Sequence, residues 1–423
     1  MLMVPSRRRF LEASGVALTG LLTRPTLSRG AQSTSETESE PDLSPGSATE
    51  PVPEWPMGRC DSAGTGHHPT ASGPKRDVEI AWSHDAPDWF LGTTPPIRLG
   101  NTLYAVGNGL LGLDTDTGER QFGHPGPYQS TPARVHSSVY TTATLAATSP
   151  TAIFGLNAGG GFDLSVPLFE HSFGFERWRG PKASGVGFFG PATPRAPVTA
   201  DGTIYAALPE LDSVAALDPD DGRVLWRDTN NEDDSMSSAF SRPAVKDGLV
   251  FVTNWPYRVT AYRAETGEQY WKRELGERIL TSPVATDAGL VIQSREAVWL
   301  LDPDDGTALW KQYLDSNVTG SVPAVANETI FVADELESMH ALDLETGEPR
   351  WQTPFDGETT PVVADGVVYA VKSTYSLVAI DAESGNRLFE YRPSQIPIST
   401  PVVGDGTLYA ANRNRVIALE EAR

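Results

Sequence analysis

The sequence predicts an all-β fold, an eight-bladed β-propeller, from two recurring spacings and from two chain ends that complete each other. The first spacing is a proline followed eight residues later by an aromatic residue. It occurs at Pro96/Tyr104, Pro132/Tyr140, Pro197/Tyr205, Pro243/Phe251, Pro283/Val291, Pro323/Phe331, Pro361/Tyr369 and Pro401/Tyr409, with Val291 as the non-aromatic exception. Successive prolines lie 36 to 65 residues apart and mostly near 40, which suits four short strands and their turns.

The second spacing is Asp-x-x-x-Gly-x-x-x-Trp, in which Asp binds nearby backbone amides and Gly takes a positive φ angle. Each copy therefore predicts a tight hairpin followed by an outer strand. The copies beginning at Asp218, Asp302 and Asp343 are intact, those beginning at Asp114 and Asp381 end on phenylalanine, and Arg263 replaces the Asp before Trp271. The weakest copy begins at Asn157, because Ser165 stands where the aromatic residue is expected.

The two chain ends each supply part of one further blade. Residues 78–84, VEIAWSH, resemble an outer strand without the strands that should precede it, whereas residues 401–419 supply inner strands without a final tryptophan. We expect the N-terminal strand to pair with the C-terminal blade and close the ring, which removes exposed sheet edges. Trp82→Ala should then be destabilising, and removal of residues 1–76 should cost little.

Three segments are predicted. Residues 1–31 resemble a twin-arginine signal peptide, because Ser6-Arg-Arg-Arg-Phe-Leu11 precedes a short uncharged run at residues 13–22. Residues 32–54 form an acidic, proline-rich linker that should be disordered, and residues 55–423 form the propeller. The signal predicts export by the twin-arginine route to the cell surface or beyond; a basic cap on a cytosolic helix is the alternative.

The composition excludes one class of partner. There are 33 basic and 55 acidic residues, a net charge of −22, so binding to nucleic acid through its phosphates is not expected. A dispersed acidic surface favours a halophilic protein, in which net charge maintains solubility. Cys60 is the one cysteine of the chain, so no intramolecular disulfide can form.

The repeats resemble the pyrroloquinoline-quinone-type (PQQ-like) repeat family, found in eight-bladed quinoprotein dehydrogenases and in BamB-like scaffold propellers. The similarity runs from about Trp55 to the C-terminus. It implies that the tryptophan of each outer strand docks against the neighbouring blade, a position suited to a flat side chain with one N–H donor. The residues in that position are Trp82, Trp226, Trp271, Trp310 and Trp351.

Function does not follow from this fold, because it hosts both enzymes and binding platforms. A dehydrogenase resembling the family would need calcium ligands, a carboxylate base and apolar surface around the quinone. Many also use adjacent cysteines, which a chain with Cys60 alone cannot supply. We therefore expect a monomeric, non-catalytic binding or assembly scaffold without cofactors, with a protein partner and an association with the outer membrane face. The alternative is a PQQ- and calcium-dependent dehydrogenase.

No metal site is predicted. The segments beginning at Asp114 and Asp218 resemble calcium loops, but the same positions recur as hairpin turns in other repeats. His67 and His68 lie in a Gly- and Pro-rich stretch that favours a solvated loop, although a metal site is the alternative.

Two candidate partner-binding sites remain. The residues two positions before the opening prolines are hydroxyl residues with one exception: Thr94, Ser130, Arg195, Ser241, Thr281, Ser321, Thr359 and Ser399. They either satisfy backbone groups or form a ring at the propeller mouth, where Arg195 and Arg242 would attract an anionic group. The second candidate is the insertion at residues 162–196, which contains six phenylalanines and Trp178 between Arg177 and Arg179. Its aromatics either bind a partner or complete the degenerate second blade.

Overall fold

In the computed structural model, the described residues are 52–86, 94–150, 152–166, 169–182, 194–208, 213–229, 240–254, 257–278, 281–314, 318, 322–334, 337–357, 359–373 and 375–423. The side chains of residues 162–166, 169–172 and 182 are excluded from the description. The predicted signal, nearly all of the linker, Ser321 and residues 167–168 and 183–193 of the insertion therefore lie outside it. Nowhere in the described ranges is there a helix with the length and apolar character needed to cross a membrane.

The described residues form short β-strands, which are in chain order β1 (His67–His68), β2 (Val78–Asp85), β3 (Ile97–Leu99), β4 (Thr102–Gly107), β5 (Gly109–Asp114), β6 (Arg120–Pro125), β7 (Ala133–Val135), β8 (Thr144–Thr148), β9 (Ala152–Asn157), β10 (Phe162–Val166), β11 (Phe169–Phe173), β12 (Glu176–Lys182), β13 (Val198–Ala200), β14 (Thr203–Leu208), β15 (Ser213–Leu217), β16 (Val224–Thr229), β17 (Ala244–Lys246), β18 (Leu249–Asn254), β19 (Arg258–Arg263), β20 (Gln269–Glu274), β21 (Val284–Ala285), β22 (Leu290–Gln293), β23 (Ala297–Leu301), β24 (Ala308–Tyr313), β25 (Ala324–Ala326), β26 (Thr329–Ala333), β27 (Ser338–Asp343), β28 (Pro349–Pro354), β29 (Val362–Ala364), β30 (Val367–Val371), β31 (Leu377–Asp381), β32 (Arg387–Tyr391), β33 (Val402–Val403), β34 (Leu408–Asn412) and β35 (Arg415–Glu421).

These strands make eight four-stranded antiparallel units, which confirms the predicted all-β, eight-bladed propeller. Blade 1 is β3–β6, blade 2 is β7–β9 with β12, and blades 3 to 7 take four consecutive strands each, from β13 to β32. Blade 8 is β33–β35 with β2 as its outer strand. Two elements are additional: β1 pairs in parallel with β29 of blade 7, and β10–β11 form a separate hairpin between the third and fourth strands of blade 2.

The proline-to-aromatic spacing has a simple basis in strand register. The residue after each proline begins the inner strand and lies opposite the aromatic of the second strand, as in Ile97 with Tyr104 and Val402 with Tyr409. Blade 2 departs from this rule, because Ala133 lies opposite Ala146 and Tyr140 belongs to a longer connection. The Pro132/Tyr140 spacing is therefore coincidental.

Strand β2 lies antiparallel to β35, with Trp82 opposite Ala418. The pairing is supported at both ends by ion pairs, between Arg415 and Asp85 and between Arg76 and Glu421. The two ends of the described chain therefore share one sheet. The hydrophobic core is distributed around the ring, since the buried clusters combine residues from neighbouring blades.

Residues 55–72, which we call the belt, run around the inside of the central channel. Their backbone groups bond the inner strand or its following turn in seven of the eight blades: Trp55 bonds Arg98, Pro56 bonds Arg134, Ser62 bonds Val245, Ala63 bonds Ala285, Thr65 bonds Val325, Gly66 bonds Val363 and Ser72 bonds Gly406. The sequence of this segment carries no pattern that indicates such a role, and removal of residues 1–76 was expected to cost little. That expectation does not fit the structure, because the removal would break these bonds.

Candidate functional site

The outer-strand tryptophans join successive blades. Each indole Nε1 donates to a backbone carbonyl of the next blade over 2.7 to 3.0 Å: Trp82 to Thr115, Trp178 to Pro219, Trp226 to Ala264, Trp271 to Pro303, Trp310 to Leu344 and Trp351 to Ala382. Each ring also covers the positive-φ glycine of that next hairpin, where a Cβ would lie 2.4 to 2.8 Å from the nearest atom. Glycine is required at these turns because the φ angle is positive and because a Cβ would clash with neighbouring side-chain atoms.

Trp178 belongs to this structural set, although the sequence suggested a partner-binding role. Trp178 is 7% exposed, and it lies in β12 opposite Gly155 of β9. The signal that would have identified it is Gly174, because Gly174 and Trp178 keep the four-residue spacing of the repeat once the β10–β11 hairpin is set aside. The alternative, that aromatics of the insertion complete blade 2, holds for Trp178 and for the buried Phe175.

Arg177 and Arg179 differ in their surroundings. Arg177 donates to Thr144 Oγ1 over 2.6 Å and to Asn157 Oδ1 over 3.0 Å, and its guanidinium lies 4.1 Å from the centre of the Tyr140 ring. It thereby holds the long connection of blade 2 in place. Arg179 is exposed and forms an ion pair with Glu176 at 3.1 Å. Of these two candidates, Arg179 is the one that a partner could reach.

Arg242 and Arg59 hold the belt at the centre of the propeller. Arg242 Nη2 donates to the carbonyls of Gly58 and Asp61 over 2.7 and 3.0 Å. Arg59 Nη1 donates to the carbonyl of Pro361 over 2.7 Å, and its Nη2 donates to that of Pro323. Arg242 is therefore a buried residue that binds the belt to blade 4, a role that its position in the sequence did not indicate.

The positive charges of these two guanidinium groups are only partly balanced by nearby acidic groups. Burial, with a smaller contribution from Arg242, lowers the pKa of Arg59 to about 9, and burial lowers the pKa of Arg242 to about 10. Asp61 acts in the opposite direction on both. Its Oδ1 already accepts the backbone amides of Gly64 and Thr65 over 2.6 and 3.0 Å. Cys60 is also buried, and burial raises the pKa of its thiol.

The belt lies between two cavities of the channel. The cavity at the proline mouth, where the inner strands begin, has a volume of about 730 Å³ and is lined by Trp55, Gly58 and Arg59 of the belt. The cavity at the turn mouth, beside the first hairpin of each blade, has about 940 Å³ and is lined by Asp61, Ser62, Ala63, Thr65 and His67 of the belt. The two mouths are therefore separate sites.

The two cavities carry opposite charge. The charged residues of the proline-mouth cavity are Arg59, Arg242, Lys372 and Asp356. Six acidic residues line the turn-mouth cavity, beside Lys246 and His67: Asp61, Asp201, Asp247, Asp287, Glu328 and Glu345. The positively charged lining therefore belongs to the proline mouth, in an otherwise acidic protein.

The hydroxyls near the opening prolines serve the backbone. Four of them accept a hydrogen bond from an amide of the second strand over 2.9 to 3.1 Å: Ser130 from Thr148, Ser241 from Thr253, Thr359 from Val371 and Ser399 from Ala411. This is the first of the two roles considered for them. Arg195, the exception in that ring, is exposed, and its carbonyl accepts the hydroxyl of Thr148 over 2.7 Å.

The described residues do not offer a calcium site of the expected kind. Asp114 Oδ1 accepts the amides of Asp116 and Thr117, as a hairpin turn requires. His68 uses both ring nitrogens, Nε2 with the carbonyl of Glu54 and Nδ1 with the amide of Ala71. Within the described part of the chain, no group of three His, Cys, Asp or Glu is placed to hold a metal ion. Ca²⁺ prefers several carboxylate or carbonyl oxygens, whereas the proline-mouth cavity has one acidic residue against three cations.

The chain is similar to a family of envelope proteins. The family model described as "Outer membrane protein assembly factor BamB" matches residues 211–317 and 294–422, half of the chain in combination. BamB of Yersinia pestis is 27% identical over 282 residues, which cover 60% of this chain and 70% of that protein. Other BamB sequences match over 41 to 64% of their own length.

Two solved structures share the fold. BamB from Moraxella catarrhalis superposes with a TM-score of 0.59 at 15% identity, covering 82% of this chain and 98% of that chain. Quinohemoprotein alcohol dehydrogenase from Comamonas testosteroni superposes with a TM-score of 0.64 at 13% identity, covering 88% and 81%. At these identities the similarity concerns the fold alone, and it includes both an assembly factor and an enzyme.

Proposed function

The chain belongs to the family of the outer membrane protein assembly factor BamB, and we propose that it is a non-catalytic scaffold that binds other proteins at the cell envelope. The observation that carries this proposal is the family match over half of the chain. It is supported by the structural use of the polar groups of the repeat, because the hairpin aspartates and the mouth hydroxyls bind backbone groups of their own blade.

The β10–β11 hairpin is the docking element that we propose for the partner. It is an addition to the four strands of blade 2, and its two ends lie together, since a Cβ on Gly161 would be 2.7 Å from the carbonyl of Phe173. Phe173 is 46% exposed, and Arg179 on the neighbouring strand is also exposed. Aromatic and arginine side chains are enriched in interface hot spots.

The test is a deletion of residues 162–173 that joins Gly161 to Gly174. A longer replacement, of residues 165–192, would also remove β12 with Trp178 and would therefore damage blade 2. We expect the shorter protein to keep its circular dichroism and melting temperature but to lose crosslinking to, and co-purification with, its native partner. Phe173→Ser should weaken capture, and Tyr313→Ser, at an exposed aromatic of blade 5, should not. Retained capture by the folded deletion would exclude the hairpin.

Export through a twin-arginine signal at residues 1–31 stays a prediction, because those residues lie outside the description. Replacement of Arg7 and Arg8 by lysine should retain the protein in the cytoplasm, which cell fractionation would measure. Normal export of that variant would refute the assignment of the signal.

Closure of the ring by β2 is a further part of the proposal. It is supported by the antiparallel register of β2 with β35 and by the docking of Trp82 on the hairpin of blade 1. The same strand therefore completes blade 8 and contacts blade 1.

A PQQ- and calcium-dependent dehydrogenase is the second candidate, and it is favoured by fold similarity alone. Incubation of the purified protein with calcium and quinone, followed by an absorption spectrum and metal analysis, distinguishes the two. A scaffold should take up neither, and stoichiometric uptake of both would favour the enzyme.

A further inference from the structure

The proline-mouth cavity has the features of a binding site for a small molecule. Its volume of about 730 Å³ lies in the range of ligand pockets. Its inner end is formed by the belt residues Trp55, Gly58 and Arg59. A ligand would therefore enter from the proline side and meet the belt.

The inner end of this cavity holds positive charge that the protein compensates incompletely. Asp61 is the acidic group that acts on both Arg59 and Arg242 among the described residues, and its carboxylate is engaged by belt amides. Arg242 is 7% exposed, and its buried Nε has no hydrogen-bond partner. Buried charge is costly without a partner, so an anion in the cavity would offset the excess.

The cavity also has apolar lining. Tyr375, Pro397 and Ile398 contribute it. Tyr375 is 40% exposed and has a φ angle of +62°, a left-handed conformation that is unusual for a bulky residue. Residues held in such conformations are concentrated at functional sites. An exposed aromatic ring in this position offers a contact surface for the organic part of a ligand.

We propose that the proline-mouth cavity binds a small organic anion, with a carboxylate or phosphate group near Arg242 and Arg59 and its organic part against Tyr375, Pro397 and Ile398. This site is independent of the hairpin through which the scaffold is proposed to bind its partner. Loss of one therefore leaves the other measurable.

The experiment is calorimetric titration of the full chain, at constant ionic strength in potassium chloride, with phenyl phosphate, benzoate, inorganic phosphate and benzyl alcohol. We expect saturable binding with one site per chain for at least one of the two aromatic anions and none for the neutral alcohol. The stronger of phenyl phosphate and benzoate identifies the preferred anionic group. Binding of inorganic phosphate alone would indicate an adventitious ion only and would overturn the proposal.

Two pairs of variants locate the site. Arg242→Gln should lower the affinity for the anion by about tenfold or more. Lys246→Gln, in the cavity on the other side of the belt, should leave that affinity unchanged. Tyr375→Gly should lower the affinity for the aromatic anions by about threefold to tenfold. It should not lower the melting temperature, because glycine tolerates a positive φ. Tyr313→Gly is its control on the outer face of blade 5.

Each pair can fail on its own. Arg242→Gln could fail to fold because Arg242 also binds the belt. In that case the affinities of Tyr375→Gly and Tyr313→Gly test the proposal. Unchanged affinity in a folded Arg242→Gln or in Tyr375→Gly, or the absence of binding by both aromatic anions, would overturn the proposal.

Discussion

Trp178 donates its indole hydrogen to the carbonyl of Pro219 over 2.8 Å, and this bond joins blade 2 to blade 3. The same bond type, donor atom and turn position recur at five other blade junctions. The insertion therefore contains a conventional outer strand, and among its described residues the β10–β11 hairpin is the part that is additional to the four strands of the blade.

Trp178→Ala should destabilise the fold by about 3 to 5 kcal/mol, the range for truncation of large buried aromatics. The substitution removes the ring from the hairpin glycine Gly222 and leaves the carbonyl of Pro219 without its donor. Chemical denaturation measures the difference, and Tyr313→Ala, at a residue 61% exposed, is the control. Equal stability of Trp178→Ala and the wild type would exclude the structural role.

The N-terminal region should divide sharply into a dispensable part and an essential part. Deletion of residues 1–50 should leave the melting temperature of the propeller unchanged. Deletion of residues 1–76 should lower it strongly, because it removes the belt with its backbone bonds to seven blades. Trp82→Ala should be destabilising by about 3 to 5 kcal/mol. If both deletions melted at the same temperature, the belt would have no stabilising role.

Asp343 should make the hairpin of blade 6 sensitive to acid. Arg350 and the turn amides lower the pKa of Asp343 from 3.8 to about 2. A carboxyl whose pKa is lowered by folding contributes stability above its unfolded pKa and loses it as the pH falls through the folded pKa. Asp343→Asn should therefore lower the melting temperature at pH 6, and the difference should disappear near pH 2. Asp304→Asn, at an exposed turn position, is the control; a constant difference for Asp343→Asn across this pH range would contradict the assignment.

Salt should stabilise the protein. With a net charge of −22, carboxylates repel one another at low ionic strength, and molar salt screens that repulsion. The melting temperature should rise as potassium chloride increases from millimolar to molar concentrations. A flat or falling curve would argue against the proposed halophilic adaptation.

The sequence predicts the blades because their determinants are local. Proline, the aromatic eight residues later and the hairpin aspartate and glycine act within one repeat, so their spacing is visible in the chain. Trp178 escaped prediction because the β10–β11 hairpin separates it from Asn157, which begins its copy of the frame.

The belt escaped prediction for a different reason. It binds the inner strands largely through backbone carbonyls, which leave no side-chain pattern in the sequence. The site was identified in part, since Arg242 does line the proline mouth. Arg59, which lines the same cavity, lies outside every repeat and was not predicted. Arg195 was predicted because it also precedes an opening proline, but it does not line the cavity.

The belt and β2 also constrain the order of folding. During synthesis the belt emerges before any of the inner strands that it will bond, and β2 must wait for β35, the last strand of the chain. Contacts between residues so far apart in sequence carry a large loop-closure entropy and slow the folding reaction. We expect the propeller to reach its native state only after the whole chain has left the ribosome. The same late contacts should be the first to be lost when it unfolds, so strengthening them would slow unfolding more than it speeds folding.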